Sequence, residues 1–236
     1  MSRTTLLLAA LLVAPACDGA SKDAPKTAAT KDETKPAAKP DPAAKPDEAA
    51  KPDPAAKPDP WQEQLDGRVL AQSGLGQDGK LIAFEIVNCE SGEQYCQVCK
   101  FGGNPKLMAV GSADDEAFHE DLKNLDALVQ KYGDDKVKAF AVITEIVDGK
   151  GVTPKDVAKA QADAKALREK LALSIPVVVP AQSDGGAPNR EWDEYYNITQ
   201  SRTVMFADGR NIVKWSAVAP GDWSGLDEAI KSIAAG

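Results

Sequence analysis

The sequence predicts an α/β domain, a central mixed sheet flanked by helices, with a β-hairpin and a helix at its C-terminal end. Strand-like apolar runs alternate with amphipathic helical periods along residues 61–236, the pattern of a sheet covered by helices. The last strand pair turns on Asp208-Gly209, a hairpin signal that adds antiparallel strands at one side. The length from Trp61 to Gly236 suits one domain.

The elements follow in order. KLIAFEIV (80–87) comes after the turn Gln77-Asp78-Gly79 and reads as a strand. KLMAVGS (106–112) is a second strand, almost wholly apolar. Phe118, Leu122, Leu125, Val129 and Tyr132 then step by four and three, as on one face of a helix. Ser112 and Asp115 offer a capping box at its start. KVKAFAVITEI (136–146) reads as a buried strand. Thr153-Pro154-Lys155-Asp156 predicts an N-cap, a first-turn proline and a capping-box acid for a helix carrying Val157, Ala160, Ala164, Leu167 and Leu171 inward. IPVVV (175–179) is a short buried strand and NREWDEYYN (189–197) a short helix. TVMFADGRNIVKWSA (203–217) is the hairpin, and Ser224 with Asp227 caps a last helix bearing Leu226, Ile230 and Ile233.

The chain before this domain is different in kind. MSRTTLLLAALLVAPAC has the layout of an export signal, with Arg3 ahead of an apolar stretch, Leu6 to Val13, too short to span a bilayer. Ala14-Pro15-Ala16 is a small-x-small cleavage site, and with Cys17 it also resembles a bacterial lipobox, although Ala14 stands where Leu is commonest. Residues 1–16 are therefore read as a signal peptide and Cys17 as a lipidated N-terminus. The alternative is a secreted or periplasmic soluble protein. Residues 17–60 repeat AAKPD and contain no large apolar side chain, so they are expected to form a disordered tether. Both readings place the protein outside the cytoplasm, in the cell envelope if the lipid anchor is made.

Charge narrows the partners. Residues 1–60 hold nine basic and nine acidic groups, so the net −8 belongs to the domain. An acidic domain without a basic stripe argues against nucleic acid. The expected partners are the membrane, through the anchor, and a protein or protein thiol.

Chemistry centres on NCESGEQYCQVCKFGGNP (88–105), which holds three of the four cysteines. Cys96 and Cys99 form a C-x-x-C, the candidate redox pair, with Cys89 a resolving or bridging thiol. In an oxidising compartment a structural bridge is the plainer reading of these cysteines, and exchange the more specific one. Three thiols at C-x6-C-x2-C could hold zinc, but the one histidine, His119, reads as an exposed helical residue. The variant haem motif with Lys100 after the second cysteine has no second ligand in view. No cofactor and no metal are expected. The acidic pairs Asp114-Asp115, Asp134-Asp135 and Asp193-Glu194 read as solvated helix ends, and Trp192, Tyr195 and Tyr196 as core or as a recognition surface.

The element order, ending in T-V-M-F-A-D-G-R-N-I-V-K-W and a helix, resembles the thioredoxin-like superfamily, nearest its peroxiredoxin and membrane-anchored reductase branch. Tyr95-Cys96-Gln97-Val98-Cys99-Lys100-Phe101-Gly102 is similar to a stretch in secreted thioredoxin-like proteins. The resemblance implies thiol–disulfide chemistry on a cysteine at a helix N-terminus, facing a cis-proline. This sequence departs from both. GSADDEAFHE, where the central helix begins, has no cysteine, and Arg202 stands in the proline's place before Thr203. Gly102-Gly103-Asn104-Pro105 is expected to break any helix begun at Cys96. No P-x-x-x-[TS]-x-x-C peroxidase string occurs. Thiol–disulfide exchange and a non-catalytic, cysteine-stapled binding protein are the two functions the sequence supports.

Overall fold

A computed structural model describes residues 59–234. The export signal, Cys17 and the AAKPD repeats lie outside the described residues, apart from Asp59-Pro60 at the repeats' end. Asp59 accepts from Trp61 N at 3.0 Å and opens helix α1 (Pro60–Asp66), with proline in its first turn. The strands of the main sheet are β1 (Glu85–Asn88), β2 (Gln94–Cys96), β3 (Lys106–Gly111), β4 (Lys138–Ile143), β7 (Val177–Pro180), β8 (Thr203–Ala207) and β9 (Val213–Val218). A separate ribbon pairs β5 (Glu145–Val147) with β6 (Lys150–Val152). The helices after α1 are α2 (Gln97–Phe101), α3 (Glu116–Tyr132), α4 (Val157–Leu171) and α5 (Ser224–Ala234).

The sheet order is β2-β1-β7-β4-β3-β8-β9. Strands β3, β4 and β7 run parallel, and the others join antiparallel. The parallel steps are crossed by α3 and α4, as parallel pairing requires. Every residue of β7 and β8 is buried, which is why these strands read as continuous apolar runs. The expected mixed sheet, C-terminal hairpin and last helix are all present.

Side chains alternate between two cores. Leu107, Ala109, Ala141, Val177 and Phe206 face one side and meet α3, α4 and α5 through Leu122, Leu167 and Leu226. Met108, Val110, Phe140 and Val142 face the other side and meet Phe84, Trp192 and Tyr196. The aromatic segment expected as core or recognition surface is therefore core. It forms a π-helical turn, Glu191–Tyr195, rather than an ordinary helix.

Four local readings change, two of them because a tertiary bond takes the group and two because a different neighbour in sequence does. Only the last three residues of KLIAFEIV, with Asn88, form a strand. The carbonyls of Lys80 and Ile82 accept instead from the hydroxyls of Tyr195 and Tyr196. Helix α4 starts at Val157 with Asp156 as its cap. Thr153 is occupied elsewhere, its hydroxyl donating to Asp193 Oδ1 at 2.7 Å and accepting from Asn189 N at 2.9 Å. Ser112 gives its hydroxyl to Asp114, leaving Asp115 to cap α3 alone through Ala117 N and Phe118 N. Ser224 lies inside α5, and Asp222 accepts from its N–H at 2.9 Å.

His119 is buried, not exposed, and its Nε2 lies 2.8 Å from Ala113 O. Several acids read as solvated are also committed: Asp115 caps α3 and Asp193 holds Thr153. Lys106 is wholly buried at the start of β3, and its ammonium donates to Gly102 O and to Asn211 Oδ1. Burial lowers its pKa, partly opposed by Asp208. No helix of the described residues is long and apolar enough to cross a membrane.

Candidate functional site

The cysteine segment folds as a hairpin running into a short helix. Asn88 Oδ1 accepts from Glu90 N at 2.8 Å and Ser91 N at 3.1 Å, and Gly92 takes a positive φ of 71° to close the β1–β2 turn. Strand β2 ends on Cys96, whose extended backbone (φ −89°, ψ 111°) makes it the N-cap of α2. Its Sγ accepts from Cys99 N at 3.1 Å. The helix stops after five residues at Gly102, whose φ of 54° suits glycine. Gly102-Gly103-Asn104-Pro105 thus ends the helix without preventing it, and Cys96 does stand at a helix N-terminus.

Cys96 and Cys99 are disulfide-bonded, with Cα atoms 5.2 Å apart. Cys96 is half-buried and Cys99 exposed. Both border an open groove of about 720 Å3 with Glu93, Gln94, Tyr95 and Lys100. Lys100 Nζ sits over the Tyr95 ring, 4.3 Å from its centroid. Gln97, between the cysteines, is buried with its Oε1 unpaired, a feature no sequence pattern signals. So short a helix has little macrodipole. Among the described residues, the one polar contact made to the Cys96 sulfur is the Cys99 N–H.

Cys89 is a free, buried thiol, bonded to neither partner. Strand alternation turns it into the core under α3 and α4, whereas Cys96 packs against the opposite core. Burial pushes its pKa up, with Arg168 opposing and Glu90 adding to the rise.

The ladder register places the disulfide within the sheet. Cys96 pairs with Glu85, Glu85 O accepts from Ala181 N, and Ile143 of β4 lies level with Gly111 of β3. Followed across β7, this puts Cys96 at the carboxyl end of the parallel strands, where α/β sheets bind ligands. It lies on the outermost strand, four strand spacings from β3, or about 19 Å at ~4.8 Å per spacing. The turn at Arg202-Thr203 is one strand further away.

At the end of β3 itself there is a cleft of about 260 Å3 lined by residues including Ser112, Asp114, Thr144, Asp156, Lys159 and Asp163, with no sulfur. The turn beside it is fixed by polar bonds. Ser201 Oγ donates to Asp115 Oδ2 at 2.7 Å, and Arg202, at φ 63°, donates from Nε and Nη2 to the buried Asp121 at 2.6 and 3.1 Å. Among the described residues no cluster of three or more His, Cys, Asp or Glu is placed to hold a metal.

No protein-family model matches the sequence, and no curated protein matches it. Solved structures do. A thiol-disulfide isomerase from Corynebacterium glutamicum superposes at TM-score 0.52 with 12% identity, over 67% of this chain and 97% of that one. The thioredoxin domain of a thiol-disulfide oxidoreductase from Bacteroides vulgatus superposes at 0.50 with 14% identity, over 67% and 99%. The C-terminal domain of a Bacteroides thetaiotaomicron protein described as a thiol-disulfide oxidoreductase gives 0.50 and 14%, over 68% and 97%. At such identities the likeness establishes the fold, which is thioredoxin-like.

Proposed function

We propose that this thioredoxin-fold chain exchanges disulfides with thiol substrates through Cys96 and Cys99. One observation carries the reading: Cys99, an exposed residue bordering the groove, is bonded to the half-buried Cys96, whose Sγ already accepts a backbone N–H. An incoming thiolate attacks Cys99 Sγ, the Cys96–Cys99 bond breaks, and Cys96 Sγ leaves with the electron pair. The N–H of Cys99 and the charge of Lys100 favour that thiolate, and a leaving thiol of lower pKa departs faster. A second substrate thiol then attacks the substrate sulfur of the mixed disulfide and releases Cys99 as a thiolate. The substrate leaves oxidised and the pair reduced. Cys89, in the opposite core, takes no part.

The same proposal sets the chain in the cell envelope, exported and held by a lipid on Cys17, with residues 18–60 as its tether. The support is the export-signal layout and the AAKPD composition. A non-catalytic, lipid-anchored binding protein is the second reading. It is favoured by the cysteine-free end of β3 and the locked Arg202 turn.

The deciding measurement is the midpoint potential of the Cys96–Cys99 pair, together with insulin disulfide reduction. A potential well below about −300 mV with no turnover leaves only the second reading. Incorporation of labelled fatty acid, lost in Cys17→Ser, tests the anchor.

A further inference from the structure

We infer that the outer edge of β2 docks the substrate: an extended, cysteine-bearing polypeptide segment pairs with it as an additional strand and delivers its thiolate to Cys99. This rests on the exchange reading above and names the substrate class for the same pair.

Three observations converge on that edge. Strand β2 is the last strand of the sheet on its side, hydrogen-bonded only to β1. Asn88 N donates to Glu93 O at 3.0 Å, marking a hydrogen-bonded pair of the hairpin. Antiparallel alternation makes Ile86 and Tyr95 the next such pair, so Gln94 and Cys96 turn their backbone N–H groups outward. The carbonyl of Gln94 points outward as well, while that of Cys96 serves the first turn of α2. The open groove is lined by Glu93, all of β2, Cys99 and Lys100. The unpaired backbone groups and the exposed sulfur therefore share one surface.

The occupant follows from the chemistry. Unpaired strand groups select an extended backbone, and main-chain hydrogen bonds supply the affinity. One acid, Glu93, and one base, Lys100, flank the groove, so it prefers neither sign of charge. A second copy of the domain brings no accessible free thiol, because Cys96 and Cys99 are bonded and Cys89 is buried. A thiol-bearing segment of another polypeptide satisfies both the edge and the sulfur. On docking, its thiolate attacks Cys99 Sγ, the Cys96–Cys99 bond breaks, a peptide–Cys99 disulfide forms, and Cys96 takes the electron pair.

The test uses the oxidised full chain and three probes. Two are decapeptides of alternating Thr and Ser with one central cysteine, identical except that one carries backbone N-methyl groups at alternate positions. The third is dithiothreitol. Mixed disulfide is followed by acid quench and mass. The unmodified peptide is expected to react about tenfold faster than its N-methylated twin, from one or two lost main-chain hydrogen bonds. Gln94→Pro, which removes an outward N–H that the β1 ladder does not use, is expected to abolish that ratio. Equal rates for the twins on the wild-type chain overturn the proposal, and so does a ratio that survives Gln94→Pro. A dimer of this chain paired through β2, seen by gel filtration and dissociated by Gln94→Pro, assigns the edge to self-association and overturns it too. Failure of dithiothreitol to open the bond in the native chain refutes the exchange reading itself, and this inference with it.

Discussion

Replacing both bonded cysteines, Cys96→Ser with Cys99→Ser, separates a working disulfide from a structural one. The bond links residues three apart in sequence. The loop-entropy relation, roughly −2.1 − 1.5R ln n cal/mol/K with n near 4, gives about −6 cal/mol/K, or ~2 kcal/mol at 25 °C. The surroundings of α2 hold without the bond. Val98 is buried, Phe101 packs edge-on against Phe140 with centroids 5.7 Å apart, and Lys106 retains Gly102. In a domain of this size ~1 kcal/mol moves Tm by about 2–4 °C. The double variant should therefore melt about 4–8 °C lower, with a reduced urea midpoint and an unchanged m value. Dithiothreitol should have the same effect on the wild-type chain. A loss above ~5 kcal/mol, or the disappearance of a cooperative transition, refutes the reasoning. The bond would then be holding the fold together, and a bond the fold needs cannot open in each cycle.

Arg202→Met strands the buried carboxylate of Asp121 and should lower stability by ~3–5 kcal/mol in urea titration, whereas adding Asp121→Leu should recover most of that loss. The Cys89 thiol, held above its ordinary range by burial, ionises first in the unfolded chain. Its contribution is complete below the unfolded value and is lost as pH rises past about 9, so Cys89→Ala should show a shallower alkaline decline in denaturant midpoint than wild type. Asp227 is held below the usual carboxylate range by Lys131, then Lys231 and Tyr132. Its contribution is present above the unfolded value and fades as pH falls below about 4, so Asp227→Asn should flatten the acid limb of stability against pH. Gln97→Leu removes a buried, unpaired amide oxygen and should leave the thermal midpoint unchanged or raise it, by up to ~1–3 kcal/mol of stability.

The parts legible in the sequence are those with a helical period or an unbroken apolar run. Helix α3 displays its face through five residues from Phe118 to Tyr132, and β3, β4, β7 and β8 are buried on both sides, so their apolar runs stand out. The short elements β2, α2 and α1 mix polar and apolar residues and offer neither. Cys96 at a helix N-terminus therefore leaves no mark in the sequence, while Gly102-Gly103 signals a stop but not that five helical residues precede it. The other misreadings arise where a polar side chain has two suitors. Thr153 looks like a cap, yet a turn some forty residues away claims it. Asp121 carries no sign in the sequence of its pairing with Arg202, eighty-one residues on, which precedes the strand next to β3. The C-x-x-C could be found by spacing alone, but not its position on the outer strand, which depends on β1 turning back against β7.

The buried Lys106 gives the disulfide segment a mechanical asymmetry. Its ammonium fastens Gly102 to Asn211, and Gly209 packs so closely on Gly103 that a side-chain carbon there would lie 2.2 Å from the Gly103 carbonyl oxygen. The far end of α2 is clamped to the β8–β9 turn, while its near end follows a strand bonded on one side and sinks Gln97 and Val98 into the core beside the sulfur bridge. The segment is built like a cantilever, with its root at the β8–β9 turn and the sulfur bridge at its other end. Reducing the bridge should leave that root in place, since the contacts that fasten it involve no sulfur.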